Sequence, residues 1–469
     1  MNECLSGLYT DMYQLTMAQA YFIDGTMGKR AVFDYFFRTI PFQGGYVIFA
    51  GLEDLLDFLE GFSFSPDDIE YLRSLGFRDG FLKEIEGFRF RGAVYSAREG
   101  ETVFPGEPVI RVEGRLIETQ VVESGLLNIV NFESLIASKA ARIRSVAGRR
   151  HISEFGMRRA HSLASIHAAR AAVIGGCDST SNVLAARRYG LRPVGTMAHS
   201  YIESYKDELT AFRKFASSNP ENCVLLVDTY DTLKSGLPNA IRTAKEMESR
   251  GQKLSGIRLD SGDLAYLAWA ARQTLDSAGL GYVKIVASNL LDEHLVRSLL
   301  AQGAPIDIFG IGTQLATGAP DASLDGVYKL AEIDGRPRLK LSDSLSKTTL
   351  PGRKKVVRCS DREAFFRADA VCLASEDSAR RMVHPYEPGQ ELDLTPFAAE
   401  ELLAEVMEDG KRTGPPLDVP SIAAYAASRL QALPEEHKRL ENPHIYKVGL
   451  SVGLAALRDE LSGRPPKED

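Results

Sequence analysis

Between residues 151 and 314 the chain repeats one pattern: a short apolar run, a polar or charged end, then a turn or a stretch with helical spacing. The runs are residues 152–159 (ISEFGMRR), the loop at Asp178-Ser179-Thr180, and residues 193–199 (PVGTMAH) and 223–231 (CVLLVDTYD). They continue with 254–263, 283–289 (VKIVASN) and 307–314 (DIFGIGTQ). Apolar runs bounded in this way have the periodicity of buried parallel strands. Successive βα units with polar strand ends predict an α/β barrel whose single rim gathers those ends.

The central run, LSGIRLDSGDL (254–264), is the most informative. Leu254, Ile257 and Leu259 start a buried strand that carries one cation, Arg258, and runs into Asp260-Ser261-Gly262-Asp263 before a helical pattern. Asp260 and Asp263 suit sugar hydroxyls or waters on Mg²⁺, and Arg258 suits a planar or anionic ring. The same letters also spell a helix cap with a surface salt bridge. A shared rim would bring together Arg158, Asp178, His199, Asp228, Arg258, Asp260, Asp263, Ser288, Asn289, Gly310, Gly312 and Thr313.

The loop FGIGTQ (309–314) offers backbone N–H groups to a phosphate monoester. No Gly-Lys-Ser/Thr follows it, so it is not a Walker A loop, and no GxGxxG with a matching acid suggests a Rossmann dinucleotide site. His199 ends the run GTMA, where it is either a packed histidine or a group that donates, accepts or is phosphorylated. With Asp228, Asp260 and Asp263 it also allows a metal-dependent hydrolase, although no second histidine lies at close spacing.

Outside the barrel, residues 8–24 read as a helix behind a Thr10-Asp11 cap, with Tyr9 and Tyr13 as core residues or a ligand platform. Residues 30–38 read as a strand, 46–62 as a helix, and 91–112 as a small β module, giving a mixed α/β domain over 1–115. A long helical stretch over 118–148 leads into a barrel domain placed at 116–335. Its Lys139, Arg142 and Arg144 either complement the helix dipole or bind phosphate. Residues 364–392 read as β structure, and 395–412 and 421–433 as helices; the segment 336–469 is expected to complete the N-terminal domain.

A net charge of −7 gives no global attraction to nucleic acid or an anionic membrane, so an anionic substrate needs a local cluster. The five cysteines form no C-x-x-C pair and read as packed thiols of a reducing compartment. With no basic n-region followed by an apolar h-region, and no apolar run of bilayer length, a soluble cytoplasmic protein is expected.

An ordered set of motifs resembles the nicotinate phosphoribosyltransferase family over most of the chain. It comprises TDMYQLTMAQAYF (10–22), FDYFFRTIPFQGGY (33–46), EFGMRRAH (154–161), GGCDSTSN (175–182) and GTMAHSY (195–201). LLVDTYDT (225–232), GIRLDSGDL (256–264), IVASN (285–289), FGIGTQL (309–315), KLSDSLSKTTLPGRKK (340–355) and NPHIYKVGLS (442–451) complete it. The resemblance implies an irregular α/β barrel of the type II phosphoribosyltransferase kind, beside a mixed α/β domain built from both chain ends. It implies a homodimer with shared sites that joins nicotinate to 5-phosphoribosyl 1-diphosphate, with Mg²⁺ and with ATP as co-substrate, in NAD biosynthesis.

Carried over by motif, Arg158 pairs with the nicotinate carboxylate, Phe155 stacks on one ring face, and Tyr13 of a neighbouring subunit stacks on the other. Arg258 faces the ring and Asp260 the ribose hydroxyls, Gly312 and Thr313 hold the 5′-phosphate, and His199 is the phosphohistidine. Asp178, Ser288 and Asn289 join the substrate site, Asp263 holds Mg²⁺ through water, and Arg38, Lys139, Arg142 and Lys347 are candidates for diphosphate or ATP phosphates. The zinc-binding cysteine cluster of some family members has no counterpart here, and Asp178 does not decide which pyridine ring is used. A nicotinamide phosphoribosyltransferase is the alternative within the class; an inactive nucleotide-binding regulatory barrel and a metal-dependent hydrolase are those outside it.

Overall fold

The computed structural model describes residues 6–341, 348–377, 379–387 and 389–463; Lys347, Cys4 and the last six residues lie outside them. The chain divides into two compact units. One is formed by residues 1–138, 323–417 and 424–469, the other by 139–322 and 418–423.

The first unit holds two large sheets and a two-stranded pair, Val47–Ile48 with Thr102–Val103. The larger runs Arg336–Pro337, Gly326–Ile333, Arg30–Phe37, Ile110–Arg115, Ala93–Ser96, Ala404–Glu408, Lys411–Arg412, with antiparallel neighbours throughout. Strands from near residue 30 and near residue 410 share it, so both chain ends build this domain. Its core is aromatic: Phe33 stacks on Tyr328 at 4.8 Å, and Phe58, Phe62, Phe64 and Phe88 meet edge to face. The sequence reading began the barrel at 116, but residues 116–138 belong to the first unit. Leu126, Val130 and Leu135, on the long helix Glu123–Ala147, are buried in its core.

The smaller sheet runs Glu391–Asp393, Arg381–Val383, Val448–Ser451, Phe366–Leu373, Lys354–Ser360, Ala398–Glu401. Residues 395–412, expected to be helical, instead supply the strands Ala398–Glu401, Ala404–Glu408 and Lys411–Arg412. Ala, Glu and Leu favour a helix locally, but pairing with Lys354–Ser360 and Ala93–Ser96 overrides that weak preference. The expected helix near 421–433 forms as Val419–Ala432.

The second unit is the barrel. Its six strands lie in the order Ser179–Thr180, His151–Glu154, Ile308–Ile311, Lys284–Ser288, Gly256–Leu259, Val224–Leu226, and every neighbouring pair is parallel. The ring is irregular because the two outer strands do not pair with each other. Residues 193–199, expected as a further strand, make only an isolated bridge from Pro193 to Thr180. Proline brings no N–H to a ladder, and the segment beyond it is committed to side-chain bonds at the rim. Helices Ala164–Ile174, Leu237–Glu248, Leu264–Ser277 and Glu293–Ala301 alternate with the strands. Asp263 and Asp292 cap the last two by accepting from the N–H groups of Tyr266 and Leu295.

Candidate active site

Two strand ends of the barrel and the segment 193–199 converge on one guanidinium. Arg258, on Gly256–Leu259, donates through Nε to Ser288 Oγ at 2.9 Å and through Nη2 to Asp260 Oδ1 at 3.0 Å. Its Nη1 reaches Thr196 Oγ1 at 2.9 Å. Ser288 also donates to Asp260 Oδ1, so one carboxylate oxygen takes two donors from two strands. Burial opposes charge on Asp260, but the Ser288 hydrogen bond, the Arg258 charge and His199 outweigh it and hold the carboxyl below its usual range.

Asp228, at the end of Val224–Leu226, accepts through Oδ2 from the Asp260 N–H at 2.8 Å and from Ser261 Oγ at 2.6 Å. Its other oxygen is buried without a partner. Beside it, Thr229 Oγ1 lies 3.1 Å from His199 Nδ1. The other ring nitrogen of His199 is 3.9 Å from Asp260 Oδ2, outside hydrogen-bond length, and the side chain is 42% exposed.

The opposite part of the rim is built by close backbone approach. A Cβ on Gly310 would lie 2.5 Å from the Phe155 ring, and one on Gly312 would lie 2.9 Å from the Phe155 carbonyl oxygen. These glycines let the FGIGT and EFGMR loops interlock and seat Phe155 with the Arg258 guanidinium 5.9 Å from its ring. Beneath them Glu154 is buried and accepts from Thr180 Oγ1 at 2.6 Å and from the Gly156 N–H. Burial pushes its carboxyl up, against those two hydrogen bonds. Gly310→Ala is therefore expected to displace Phe155, raising KM for a flat ring substrate more than it lowers kcat; steady-state kinetics with intact circular dichroism checks this.

Arg158 is exposed in the turn after Phe155 and makes no hydrogen bond or ion pair among the described residues. Asn289 and Leu290 hold the turn after Lys284–Ser288 with φ of 99° and 28°, and both are exposed at the rim. Strained backbone of this kind concentrates at functional sites. Gly312 and Thr313 open the short helix Thr313–Ala316, whose first N–H groups lack intrahelical partners. The rim thus gathers Phe155, Arg158, His199, Arg258, Asp260, Ser288, Asn289, Gly312 and Thr313.

Four sequence candidates are placed differently. Asp178 precedes its strand and accepts from Arg144 and, at 2.7 Å, from the Ile152 N–H. It lies at the N-terminal end of the sheet, because its strand starts only at Ser179. Lys139 and Arg142 are buried against Glu293, at 2.6 Å and 2.9 Å, so their charges serve an internal ion pair rather than an exposed phosphate site. Asp263 spends one oxygen on its helix cap, and His199, Asp228, Asp260 and Asp263 do not gather three ligand atoms at one point among the described residues. Asp263→Ala is expected to cost about 1 kcal/mol of stability, the usual worth of a cap, with activity nearly intact. Thermal unfolding and turnover measured together separate this from a metal role.

In the first unit, Arg38 lines a cavity of about 1080 Å³ together with Lys329 and Lys354, and its Nε is buried without a hydrogen bond. Tyr13, on the helix Met12–Ile23, is about half exposed beside the equally exposed Met12. Sequence reasoning did not single out Thr196, Thr229, Ser261 or Glu154. All four lie within the rim motifs, but only the fold shows which groups their side chains serve.

Family models match three stretches of the chain: the nicotinate phosphoribosyltransferase N-terminal domain at residues 8–131, the family proper at 150–372 and the C-terminal domain at 353–458. A nicotinate phosphoribosyltransferase of Bacillus subtilis is 46% identical over 95% of this chain and 92% of its own. One of Dictyostelium discoideum is 36% identical over 97% and 88%. The crystal structure of human nicotinic acid phosphoribosyltransferase superposes with a TM-score of 0.88 at 31% identity, covering 96% of this chain and 99% of that one.

Proposed function

The chain belongs to the nicotinate phosphoribosyltransferase family, and from that membership we infer how its own residues carry the reaction. It is an enzyme of NAD biosynthesis that joins nicotinate to 5-phosphoribosyl 1-diphosphate, giving nicotinate mononucleotide and diphosphate. The fold is the type II phosphoribosyltransferase barrel with its companion α/β domain.

The observation that carries the residue assignments is the Arg258–Asp260–Ser288 network beside His199 at the rim. Breaking the bond to diphosphate builds positive charge on the ribose ring. Asp260 is held ionised and aimed, so it stabilises that charge without reorganising. Arg258 both orients Asp260 and presents its face toward the ring site of Phe155. The pyridine nitrogen of nicotinate is already a nucleophile at neutral pH, so the chemistry asks for no strong general base. Arg158, exposed and without an ion-pair partner, suits the nicotinate carboxylate better than a neutral carboxamide, which favours nicotinate over nicotinamide.

Gly312 and Thr313 offer backbone N–H groups to the 5′-phosphate. Asp228, with one buried oxygen unpartnered, and Asp260 form a hard oxygen donor set that fits Mg²⁺ held through water. When bound, that ion neutralises charge on the departing diphosphate. ATP enters as co-substrate by phosphorylating His199, whose added charge would bias the diphosphate site by differential binding. Within the first unit, Arg38 and Lys329 are candidate cations for a phosphate group. No helix among the described residues is long and apolar enough to cross a membrane.

The exposed Tyr13 completes the ring site of a second subunit in a dimer with shared sites. Coexpression of Asp260→Asn with Tyr13→Ala tests this. Shared sites predict that heterodimers regain activity, because one of their two sites then has both native residues. Activity no higher than the sum of the two single variants contradicts sharing.

A further inference from the structure

We propose that Glu154 is a positioning residue for recognition of the pyridine carboxylate: through the Gly156 peptide it fixes the turn that carries Arg158. The inference rests on the reading of Arg158 as the partner of that carboxylate, and it adds what holds the arginine in place.

Glu154 ends the strand His151–Glu154, and its backbone is held on both sides. The Ser181 N–H donates to the Glu154 carbonyl oxygen at 2.8 Å, and Phe155 donates its own N–H to the Ile311 carbonyl at 2.8 Å. From that fixed base the carboxyl turns back over the loop and accepts from the Gly156 N–H. Its other oxygen meets Thr180 Oγ1 at 2.6 Å, and that hydroxyl is anchored by accepting from the Asn182 N–H at 3.0 Å. Glu154 is 1% exposed, and no cation among the described residues offsets its burial. A buried carboxyl is costly to keep; this one is committed to a backbone N–H and a hydroxyl, so it braces a loop and is not half of an ion pair.

Gly156 passes the constraint on. Its carbonyl oxygen accepts from the N–H groups of Arg159 at 2.8 Å and Ala160 at 3.3 Å, which closes the turn around Arg158. A Cβ at Gly156 would collide with Ala316 and with Glu154 itself, so the peptide is wedged between the carboxyl and the helix Thr313–Ala316. Phe155 needs no such brace, because its N–H is taken by Ile311 and its ring fills the space over Gly310. Arg158 is exposed, so its placement comes from the backbone of its turn, and that backbone hangs on Gly156. Without the carboxyl, the buried Gly156 N–H loses its acceptor and the turn is free to shift.

The test is steady-state kinetics of the full-length enzyme and its variants Glu154→Ala, Glu154→Gln and Arg158→Ala, with the double variant Glu154→Ala/Arg158→Ala. Glu154→Ala should raise KM for nicotinate about tenfold, the scale of one hydrogen bond to a charged group, with kcat and KM for 5-phosphoribosyl 1-diphosphate near the parent's. Glu154→Gln should stay near the parent, since its amide oxygen accepts from Gly156 and its amide nitrogen donates to Thr180. In the Arg158→Ala background, Glu154→Ala should add nothing to KM for nicotinate. A parental KM in Glu154→Ala overturns the inference, as does a glutamine variant as impaired as the alanine one, or a full tenfold effect in the Arg158→Ala background. Where Glu154→Ala does not fold, Thr180→Val, which removes the second anchor, carries the test. A nicotinate KM raised only while Arg158 is present supports the inference, and any other result overturns it. Arg158→Ala with a parental nicotinate KM overturns the carboxylate reading itself, a result distinguishable from the others because it needs no change at Glu154.

Discussion

Asp260→Asn is expected to lower kcat by about 10²–10³-fold, the range seen when one preorganised electrostatic group is removed from an active site, while leaving the fold intact. Asp260 Oδ1 accepts from both Arg258 and Ser288, and an asparagine oxygen in the same place keeps both bonds. What the variant lacks is the negative charge that faces the ribose as the diphosphate bond breaks. Because the wild-type carboxyl is held below its usual range, it is an anion throughout the neutral region, so the loss should be flat in pH there. KM for nicotinate should change little, since Phe155 and Arg158 remain. A kcat equal to the parent's would remove Asp260 from the transition state and leave it a purely structural ligand of Arg258.

Arg358→Met should cost about 3–5 kcal/mol of stability, the usual penalty for removing one partner of a buried ion pair. Arg358 is fully buried in the first unit and donates to Asp369 at 3.0 and 2.6 Å, to the Thr102 carbonyl at 2.8 Å, and to Glu101. Glu101 keeps a second cation, Arg429, at 2.9 Å. Asp369 keeps the Tyr446 hydroxyl at 3.1 Å and meets the buried carboxyl of Glu107, but it keeps no cation, so the unpaired charge falls mainly on Asp369. The double variant Arg358→Met with Asp369→Asn should therefore recover part of the loss, which a double-mutant cycle measures. A double variant as unstable as the sum of the two singles would show that the cost is lost packing and not stranded charge. Amide exchange of Lys354–Ser360 and Phe366–Leu373, the strands that carry the pair, gives the local readout.

Much of this was legible in the letters because the barrel repeats a local grammar: an apolar run, a polar end, a helix. Arg258, Asp260, Ser288 and His199 fell on one rim because parallel strands all place their C-terminal ends on the same side. The failures share a physical cause. Lys139 and Arg142 looked like free cations because their partner, Glu293, is far downstream. Asp178 was assigned to the rim because a two-residue strand leaves little in the sequence to mark which of its ends the carboxylate occupies. Residues 395–412 carried helix-forming side chains, but their edge pairing was decided by strands they meet only in the folded domain. The bond between Thr229 and His199 links residues 30 apart. Hydroxyls that position other groups leave no periodic trace.

The most direct measurement incubates the purified enzyme with Mg²⁺, phosphoribosyl diphosphate and either nicotinate or nicotinamide, with and without ATP, and identifies the mononucleotide by chromatography. The account predicts nicotinate mononucleotide, formed faster with ATP, with the ATP effect lost in His199→Ala. Product from nicotinamide alone, or none from either ring, would contradict it.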